Sequence, residues 1–193
     1  MIDCLADLSH WNRGKPDFAA AKAAGTLAVA LKASDGVADR DPAFEVRALS
    51  ARNSGLFLGA YHFVSGGGAG RQCGNFLAAI EDIKPDFLAL DLERGEGGTA
   101  EIAAAMLDGL PASPLLIYVG RWFDGLPNER LARLSLWLPE HGRAPVCPPG
   151  WASWTFWQYT SSGDFPGISG PVDRSRYAGT AAELSAWARG ANA

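Results

Sequence analysis

Short apolar runs rich in β-forming residues alternate with alanine-rich helical segments through the first two thirds of the chain. Strands that are apolar along most of their length, with helices between them, are typical of a parallel sheet covered by helices. A closed barrel of the (β/α)₈ kind, trimmed to a shorter chain, accommodates the predicted strands. These strands are Ile2–Ser9, Leu27–Ala33, Leu56–Val64, Phe87–Leu92, Leu115–Val119, Leu134–Leu138, Trp154–Thr160 and Val172–Tyr177.

Three segments carry helix signals. Phe76, Ile80 and Ile83 recur at the spacing that places side chains on one face of a helix. Asp41-Pro42 offers an N-cap acceptor followed by proline at the first helical position, and Thr180–Glu183 has the pattern of a capping box. The last three strands leave almost no room for helices, so we expect that part of the barrel to be irregular and partly antiparallel. A doubly wound open sheet is the alternative fold, but no glycine-rich phosphate turn follows the first strand.

Composition and charge limit the classes of partner. The 193 residues suit one domain spanning 1–193, and 48% hydrophobic with 20% charged residues are typical of a globular protein. The net charge is −4 and the basic residues are scattered, which argues against nucleic acid or an anionic membrane as the partner. The N-terminus lacks the pattern of a signal peptide, and no apolar run is long enough to span a bilayer. The three cysteines show neither metal nor disulfide spacing, whereas seven tryptophans are compatible with carbohydrate binding.

Polar and aromatic side chains stand at the carboxyl end of nearly every predicted strand. In barrels of this kind the active site lies at that end of the strands. The combination of acidic and aromatic residues there predicts a cleft rather than an ordinary polar rim. The side chains concerned are Asp7, Lys32, Tyr61, His62, Asp91, Glu93, Tyr118, Trp137, Gln158 and Asp173.

Asp91 and Glu93 form the strongest local signal, because they follow a wholly apolar strand. Alternation along a strand directs residues i and i+2 to the same face, so both carboxylates are expected in one site. Two like charges there cannot both ionise freely, and one pKa is expected to rise and create a proton donor. A solvated strand end or a Mg²⁺ or Ca²⁺ site remains the alternative. Together with Asp7 and Asp173 the pattern fits glycoside hydrolysis better than metal chemistry, and we predict neither a metal site nor a cofactor.

His62 is the competing candidate for the catalytic group, since a histidine beside Tyr61 at a strand end can serve as a base or a metal ligand. His10 and His141 occur singly, so no patterned histidine partner supports that role. We expect His62 to form a hydrogen-bonding wall of the site and Lys32 to pair with one of the clustered carboxylates.

Seven short motifs occur in order along essentially the whole chain. They are Asp7-Leu-Ser-His-Trp, Leu31-Lys-Ala-Ser-Asp-Gly, Gly59-Ala-Tyr-His-Phe, Leu90-Asp-Leu-Glu, Leu136-Trp-Leu, Trp157-Gln-Tyr-Thr-Ser and Gly167-Ile-Ser-Gly-Pro-Val-Asp. Each motif alone is weak, but the ordered set resembles the glycoside hydrolase family 25 lysozymes, the Chalaropsis-type muramidases.

The resemblance implies an irregular TIM-like (β/α)₅(β)₃ barrel that hydrolyses the β-1,4 bond between N-acetylmuramic acid and N-acetylglucosamine with retention. It implies that Glu93 is the general acid and that Asp91 stabilises positive charge, directly or by orienting the substrate's acetamido group as nucleophile. Asp7 and Asp173 are implied as the other acids of the pocket. The residues implied in substrate binding are Tyr61, His62, Lys32, Tyr118, Trp137 and Gln158.

Some positions depart from the family pattern. Arg47 stands where the family often has an asparagine, and Pro139–Gly142 stands where a small residue and an aromatic are expected. These departures concern the subsites and leave every candidate catalytic residue in place.

The implied partner is the glycan of bacterial peptidoglycan, attacked in the cell wall by a monomer. Without a visible leader, release by a phage-type lysis route is one expectation. The alternatives are a non-catalytic carbohydrate-binding barrel and a metal-dependent hydrolase that uses the four acids as ligands.

Overall fold

The computed structural model describes residues 1–93 and 98–190. Its strands are β1 (Ile2–Leu8), β2 (Arg13–Gly14), β3 (Ala28–Asp35), β4 (Asp39–Arg40), β5 (Phe57–Phe63), β6 (Phe87–Leu92), β7 (Leu115–Val119), β8 (Ser135–Pro139), β9 (Phe156–Gly163), β10 (Ile168–Ser169) and β11 (Val172–Tyr177). Its helices are α1 (Phe18–Ala23), α2 (Phe44–Asn53), α3 (Ala69–Ile80), α4 (Thr99–Met106), α5 (Ala181–Ala188) and a 3-10 turn at Leu131–Arg133.

Eight strands close into a mixed barrel. Seven of them, in the order β1-β3-β5-β6-β7-β8-β9, pair in parallel with their neighbours. β11 closes the barrel by pairing antiparallel to both β9 and β1. The irregular TIM-like α/β barrel expected from the sequence is therefore confirmed, including its partly antiparallel end. The short strands β2, β4 and β10, which the sequence patterns did not reveal, lie outside this closed ring.

Strand alternation separates two apolar layers. On β6, Phe87 and Ala89 point into the barrel, whereas Leu88 and Leu90 belong to the layer between the barrel and the helices. The helix α5 closes one end of the barrel, because its Trp187 ring lies 5.4 Å from the ring of Phe87. The inward residues at the opposite, carboxyl ends of the strands are polar and form the site.

Two helix starts test the sequence signals. Thr180 and Glu183 form the predicted capping box before α5. The capping acceptor predicted at Asp41 is present, because its carboxylate accepts a hydrogen bond from the backbone amide of Ala43, two residues on, and a second one from that of His10. The regular helix α2 itself begins later than predicted, at Phe44. That carboxylate thus fixes the loop after β1.

The helix face predicted for α3 is buried, but the helix ends before the last of the three apolar residues that predicted this face. Phe76 and Ile80 lie within the helix and are buried, whereas Ile83 is buried beyond its end. At 12 residues α3 is the longest described helix, and none of the described helices is long and apolar enough to cross a membrane. Among the described residues the three cysteines are free.

Candidate active site

A small pocket opens at the carboxyl ends of the barrel strands. Every strand of the closed ring except β3 contributes to its lining, because inward-facing residues at these strand ends converge on the barrel axis. The lining residues are Asp7, Tyr61, Asp91, Glu93, Tyr118, Trp137, Gln158 and Asp173. All eight were singled out from the sequence, and the roles assigned to them remain predictions.

His62 lies outside the pocket, contrary to its predicted place in the wall of the site. It follows Tyr61 on β5 and therefore points to the outer face of the barrel, where it is fully buried beneath α3. Its Nε2 donates to Gln72 Oε1 at 3.1 Å, and its Nδ1 accepts from Ser34 Oγ at 2.8 Å. Burial lowers the pKa of His62 to about 4, so it is a neutral core residue near neutral pH.

Lys32 pairs with a different carboxylate from the one expected. Its Nζ lies 2.7 Å from Asp35 Oδ2, and Asp35 is not one of the four pocket acids. The ammonium nevertheless acts on the pocket from a distance, because its charge opposes the rise in the pKa of Asp91. Lys32 is thus an electrostatic neighbour of the pocket and does not line it.

Asp91 and Glu93 occupy the pocket at two depths. Asp91 is buried, and its Oδ1 accepts no hydrogen bond from any of the described residues. Glu93 is exposed at the end of β6. Burial, followed by the charges of Glu93 and Asp7, holds the pKa of Asp91 well above its usual range. The sequence predicted a raised pKa for one acid of this pair, and Asp91, the more deeply buried of the two, has a raised pKa.

Asp7 and Asp173 form a second acidic pair across the junction of β1 and β11, where the barrel closes. We call this junction the seam. The two residues are direct partners in the antiparallel register of β1 and β11. Burial and the neighbouring charge of Asp173 hold the pKa of Asp7 well above its usual range, and the two carboxyls are hydrogen-bonded to each other. One proton shared by this pair removes most of the repulsion between them.

Gln158 links the seam pair to the opposite wall. Its amide Nε2 donates to Asp7 Oδ2 at 3.1 Å, and its Oε1 accepts from the Tyr118 hydroxyl at 2.9 Å. Burial raises the pKa of both Tyr61 and Tyr118 well above the usual value, so both phenols stay protonated and can donate hydrogen bonds. The pocket thus offers carboxyl acceptors together with hydroxyl donors.

An aromatic floor supports these groups. Trp137 is buried, its Nε1 donates to Ser175 Oγ at 2.9 Å, and its ring packs edge-on against Tyr118 with centroids 5.2 Å apart. Both contacts hold the ring in one orientation, so it presents a fixed apolar surface to the pocket.

Two residues after β8 belong to the site and were missed from the sequence. The Nε2 of His141 lies 2.9 Å from Gln158 Oε1, so His141 is a second donor to the same amide oxygen that Tyr118 reaches. Glu140 is buried beside it and accepts hydrogen bonds from Arg121 and Arg143. The signal was the departure of Pro139–Gly142 from the family pattern, which was noted as a difference in the subsites.

The four acids do not form a metal cage in this geometry. Among residues 1–93 and 98–190, no three or more His, Cys, Asp or Glu side chains are arranged so that they could hold a metal ion.

Comparison with known proteins agrees with the fold. Residues 6–168 match the model of glycosyl hydrolases family 25. The chain is 29% identical over 212 aligned positions to lysozyme M1 of Streptomyces globisporus, covering 94% of this chain and 70% of that protein. It is 28% identical to the autolytic lysozyme of Clostridium acetobutylicum, with 86% of this chain and 53% of that longer protein covered.

A solved structure of similar size allows the whole chain to be compared. The bacterial lysozyme of Streptomyces coelicolor superposes with a TM-score of 0.79 at 26% identity, covering 96% of both chains. The CTP1L endolysin superposes with a TM-score of 0.85 at 26% identity, covering 98% of this chain and 70% of that one. The chain therefore belongs to glycosyl hydrolases family 25 and is a glycoside hydrolase.

Proposed function

We propose that this enzyme is a retaining muramidase that hydrolyses the β-1,4 bond between N-acetylmuramic acid and N-acetylglucosamine in bacterial peptidoglycan. The observation that carries the proposal is the pair at the end of β6, where Asp91 and Glu93 line one pocket from the same face of the strand. Two carboxyl groups in different environments are what acid-assisted glycoside cleavage requires.

Glu93 is the proposed proton donor to the leaving oxygen. It stands exposed at the pocket mouth, where a glycan strand that enters the pocket covers it and removes its water. In the empty pocket, burial and the charge of Glu93 raise the pKa of Asp91 and so favour its neutral form. Burial under the glycan strand favours the neutral form of Glu93, so Glu93 brings its own proton to the leaving oxygen as the bond breaks. The positive charge that then develops at the anomeric carbon favours the ionised form of Asp91.

Asp91 is the proposed stabiliser of that positive charge. Its buried Oδ1 has no hydrogen-bond partner among the described residues, and a buried polar atom of this kind is costly unless a ligand pairs with it. The N–H of the substrate's acetamido group is a suitable donor. Asp91 then either orients this acetamido oxygen toward the anomeric carbon or faces the carbon itself, and substrate lacking the acetyl group distinguishes the two.

Asp7, Asp173 and Gln158 are proposed to bind the sugar rather than to exchange protons with it. Their shared proton and the Gln158 amide form one hydrogen-bonded chain across the barrel seam. Such a chain offers fixed acceptors to sugar hydroxyls, while Trp137 and the two pocket tyrosines supply apolar ring edges and hydroxyl donors.

The test is cleavage of purified peptidoglycan by the Glu93→Gln variant. Glutamine preserves the shape of the side chain but cannot donate the proton, so release of reducing ends should fall about a thousandfold. Glu129→Gln is the matched control, because Glu129 is an exposed glutamate in the segment between β7 and β8. Full activity of Glu93→Gln would overturn the proposed role.

Further measurements distinguish the proposed function from the two alternative functions. A wild-type protein that binds muropeptides in calorimetry without releasing reducing ends would be a non-catalytic carbohydrate-binding barrel. Activity abolished by EDTA and restored by a divalent cation would favour a metal-dependent hydrolase. Mass spectrometry of the digest identifies the bond, since a muramidase leaves N-acetylmuramic acid at the new reducing ends.

A further inference from the structure

Two arginines beside the pocket are joined to one buried carboxylate. The side chain of Glu140 is 4% exposed, Arg121 Nε donates to its Oε2 at 3.1 Å, and Arg143 Nε donates to its Oε1. We call Arg121, Glu140 and Arg143 the arginine rim. Burial alone would raise the pKa of Glu140, but the two arginines lower it below its usual value, so the carboxylate is ionised. Two guanidinium groups on one carboxylate leave a net positive charge.

The arginine rim lies at the same end of the barrel as the pocket. Arg121 comes two residues after β7, and Glu140 directly follows β8. The backbone amide of Glu140 donates to the carbonyl of Gln158 at 3.1 Å, and its carbonyl accepts from Trp157 Nε1 at 2.8 Å. Because Gln158 lines the pocket, these bonds attach the rim to the pocket wall.

The guanidinium groups of the rim are open to a ligand. Arg121 is 39% exposed and Arg143 is 69% exposed. Each has five N–H donors, and among the described residues Glu140 is their hydrogen-bonding partner. Trp122, next to Arg121, is 57% exposed and adds an uncovered ring to the same edge.

The charge of the rim is opposite to that of the pocket. Four carboxyl groups converge inside the pocket and the whole chain carries a net charge of −4, so an anionic part of a substrate is repelled from most of this surface. Guanidinium groups held in place are well suited to a carboxylate, because their paired N–H donors match its two oxygens.

We propose that the arginine rim binds a free carboxylate of the peptide that peptidoglycan carries on the lactyl group of N-acetylmuramic acid. This site rests on the proposed function, and it makes the enzyme prefer peptide-bearing strands to bare glycan. The sugar occupies the pocket, and the peptide leaves it across the edge formed by the loops after β7 and β8.

The test compares two soluble substrates with the double variant Arg121→Gln/Arg143→Gln. One substrate is glycan strands with uncrosslinked peptides, and the other is the same strands after an amidase has removed the peptides. At low salt the variant should have a KM about fivefold higher on peptide-bearing strands, with kcat unchanged, and wild-type kinetics on peptide-free strands. Raising the salt concentration should reduce the wild-type preference in the same direction.

Arg130→Gln is the matched control. Arg130 is 48% exposed and forms an exposed ion pair with Asp108, so the variant removes one positive charge, half of that lost in the double variant, and the same kind of contact away from the pocket lining. It should leave both substrates unaffected.

Three outcomes would overturn the proposal. Equal losses on both substrates would mean that the rim only supports the loop after β8, and unchanged kinetics on both would mean that it binds nothing. A loss confined to peptide-free strands would assign the arginines to the lactyl carboxylate, which is free only in those strands. If the wild type cleaves neither substrate, the proposed function fails, and calorimetry still decides whether the double variant binds peptide-bearing strands more weakly.

Discussion

Helices cover the outer face of one part of the barrel wall, and no described helix covers the outer face of another part. Around β3, β5 and β6 most outward side chains are apolar, and α2, α3 and α4 pack on them. Around β9 and β11 the outward face carries aromatic and arginine side chains with no described helix over it. There the guanidinium of Arg176 stacks on the Tyr159 ring at 4.2 Å and on the Trp157 ring at 5.2 Å.

Both walls contribute to the pocket, but they hold their residues differently. Asp91 stands on a strand that is buried on both faces, so its position depends on close packing. Asp173 and Gln158 stand on strands whose outer faces are half exposed, and their positions depend on hydrogen bonds and the register of the seam. The helix-covered wall should therefore respond to changes of volume and burial, and the uncovered wall to changes of polar contacts.

The largest expected difference between the walls is in catalysis. Asp91→Asn removes the carboxylate that we propose stabilises the positive charge at the anomeric carbon, and it should lower kcat/KM about a hundredfold. Asp173→Asn keeps a hydrogen-bonding side chain on the seam and should cost about tenfold. Reducing-end assays on peptidoglycan strands give both numbers, and an equal or reversed order would contradict the proposed division of roles.

The next largest difference is in stability against pH. The pKa of His62 falls from 6.5 in the unfolded chain to about 4 in the folded one, so the unfolded state binds more protons between these values. Stability should be complete above pH 6.5 and decline by about 3 kcal/mol as the pH falls to 4. Urea unfolding at a series of pH values measures this slope, and His62→Gln should remove that part of it.

Packing inside the covered wall gives a smaller effect. A Cβ on Gly59 of β5 would lie 2.2 Å from a ring carbon of the fully buried Phe87. Gly59→Ala should therefore destabilise the fold by about 1–3 kcal/mol. Gly74→Ala on α3 is the control of opposite sign, because its Cβ meets nothing within 4 Å and alanine favours the helix. Thermal unfolding that ranks the two variants the other way would contradict the packing argument.

The smallest effect is expected on the uncovered wall. Arg176→Ala removes the stacked guanidinium and should cost about 1 kcal/mol of unfolding free energy, with wild-type activity. Arg176→Lys keeps the charge without the planar stack, so its unfolding free energy should lie between those of the wild type and Arg176→Ala. Lower activity of Arg176→Ala under conditions where the variant is fully folded would contradict this expectation, because it would mean that the uncovered wall contributes to catalysis as well as to stability.

The local signals predicted the strands and most of the pocket, because period and parity act within a few residues. The bounds of β6, β7 and β11 agree with those predicted. β6 and β7 are mainly apolar runs, whereas β11 is a mostly polar strand. His62 was misplaced although the same parity rule applies to it: Tyr61 faces inward, so its neighbour faces outward. The motif in which His62 stands beside a tyrosine indicates a site, but the position of His62 on the strand decides which face it occupies.

The error about Lys32 is local, because Asp35 lies three residues away on the same strand and is nearer along the chain than any pocket acid. The contact between Arg121 and Glu140 is different, because it depends on two loops that meet only after the barrel closes. Such pairs have no periodic signature in the sequence.

Because Asp7 pairs with Asp173, the active site is complete only after the last barrel strand has been synthesised and the barrel has closed. One member of this pair stands on the first strand of the barrel and the other on the last, and they are direct partners in the register. A chain that is interrupted or cut before β11 has every other pocket acid but leaves Asp7 without its proton-sharing neighbour. Full activity should therefore emerge only when the last strand closes the barrel, because Asp7 and Asp173 meet at that step.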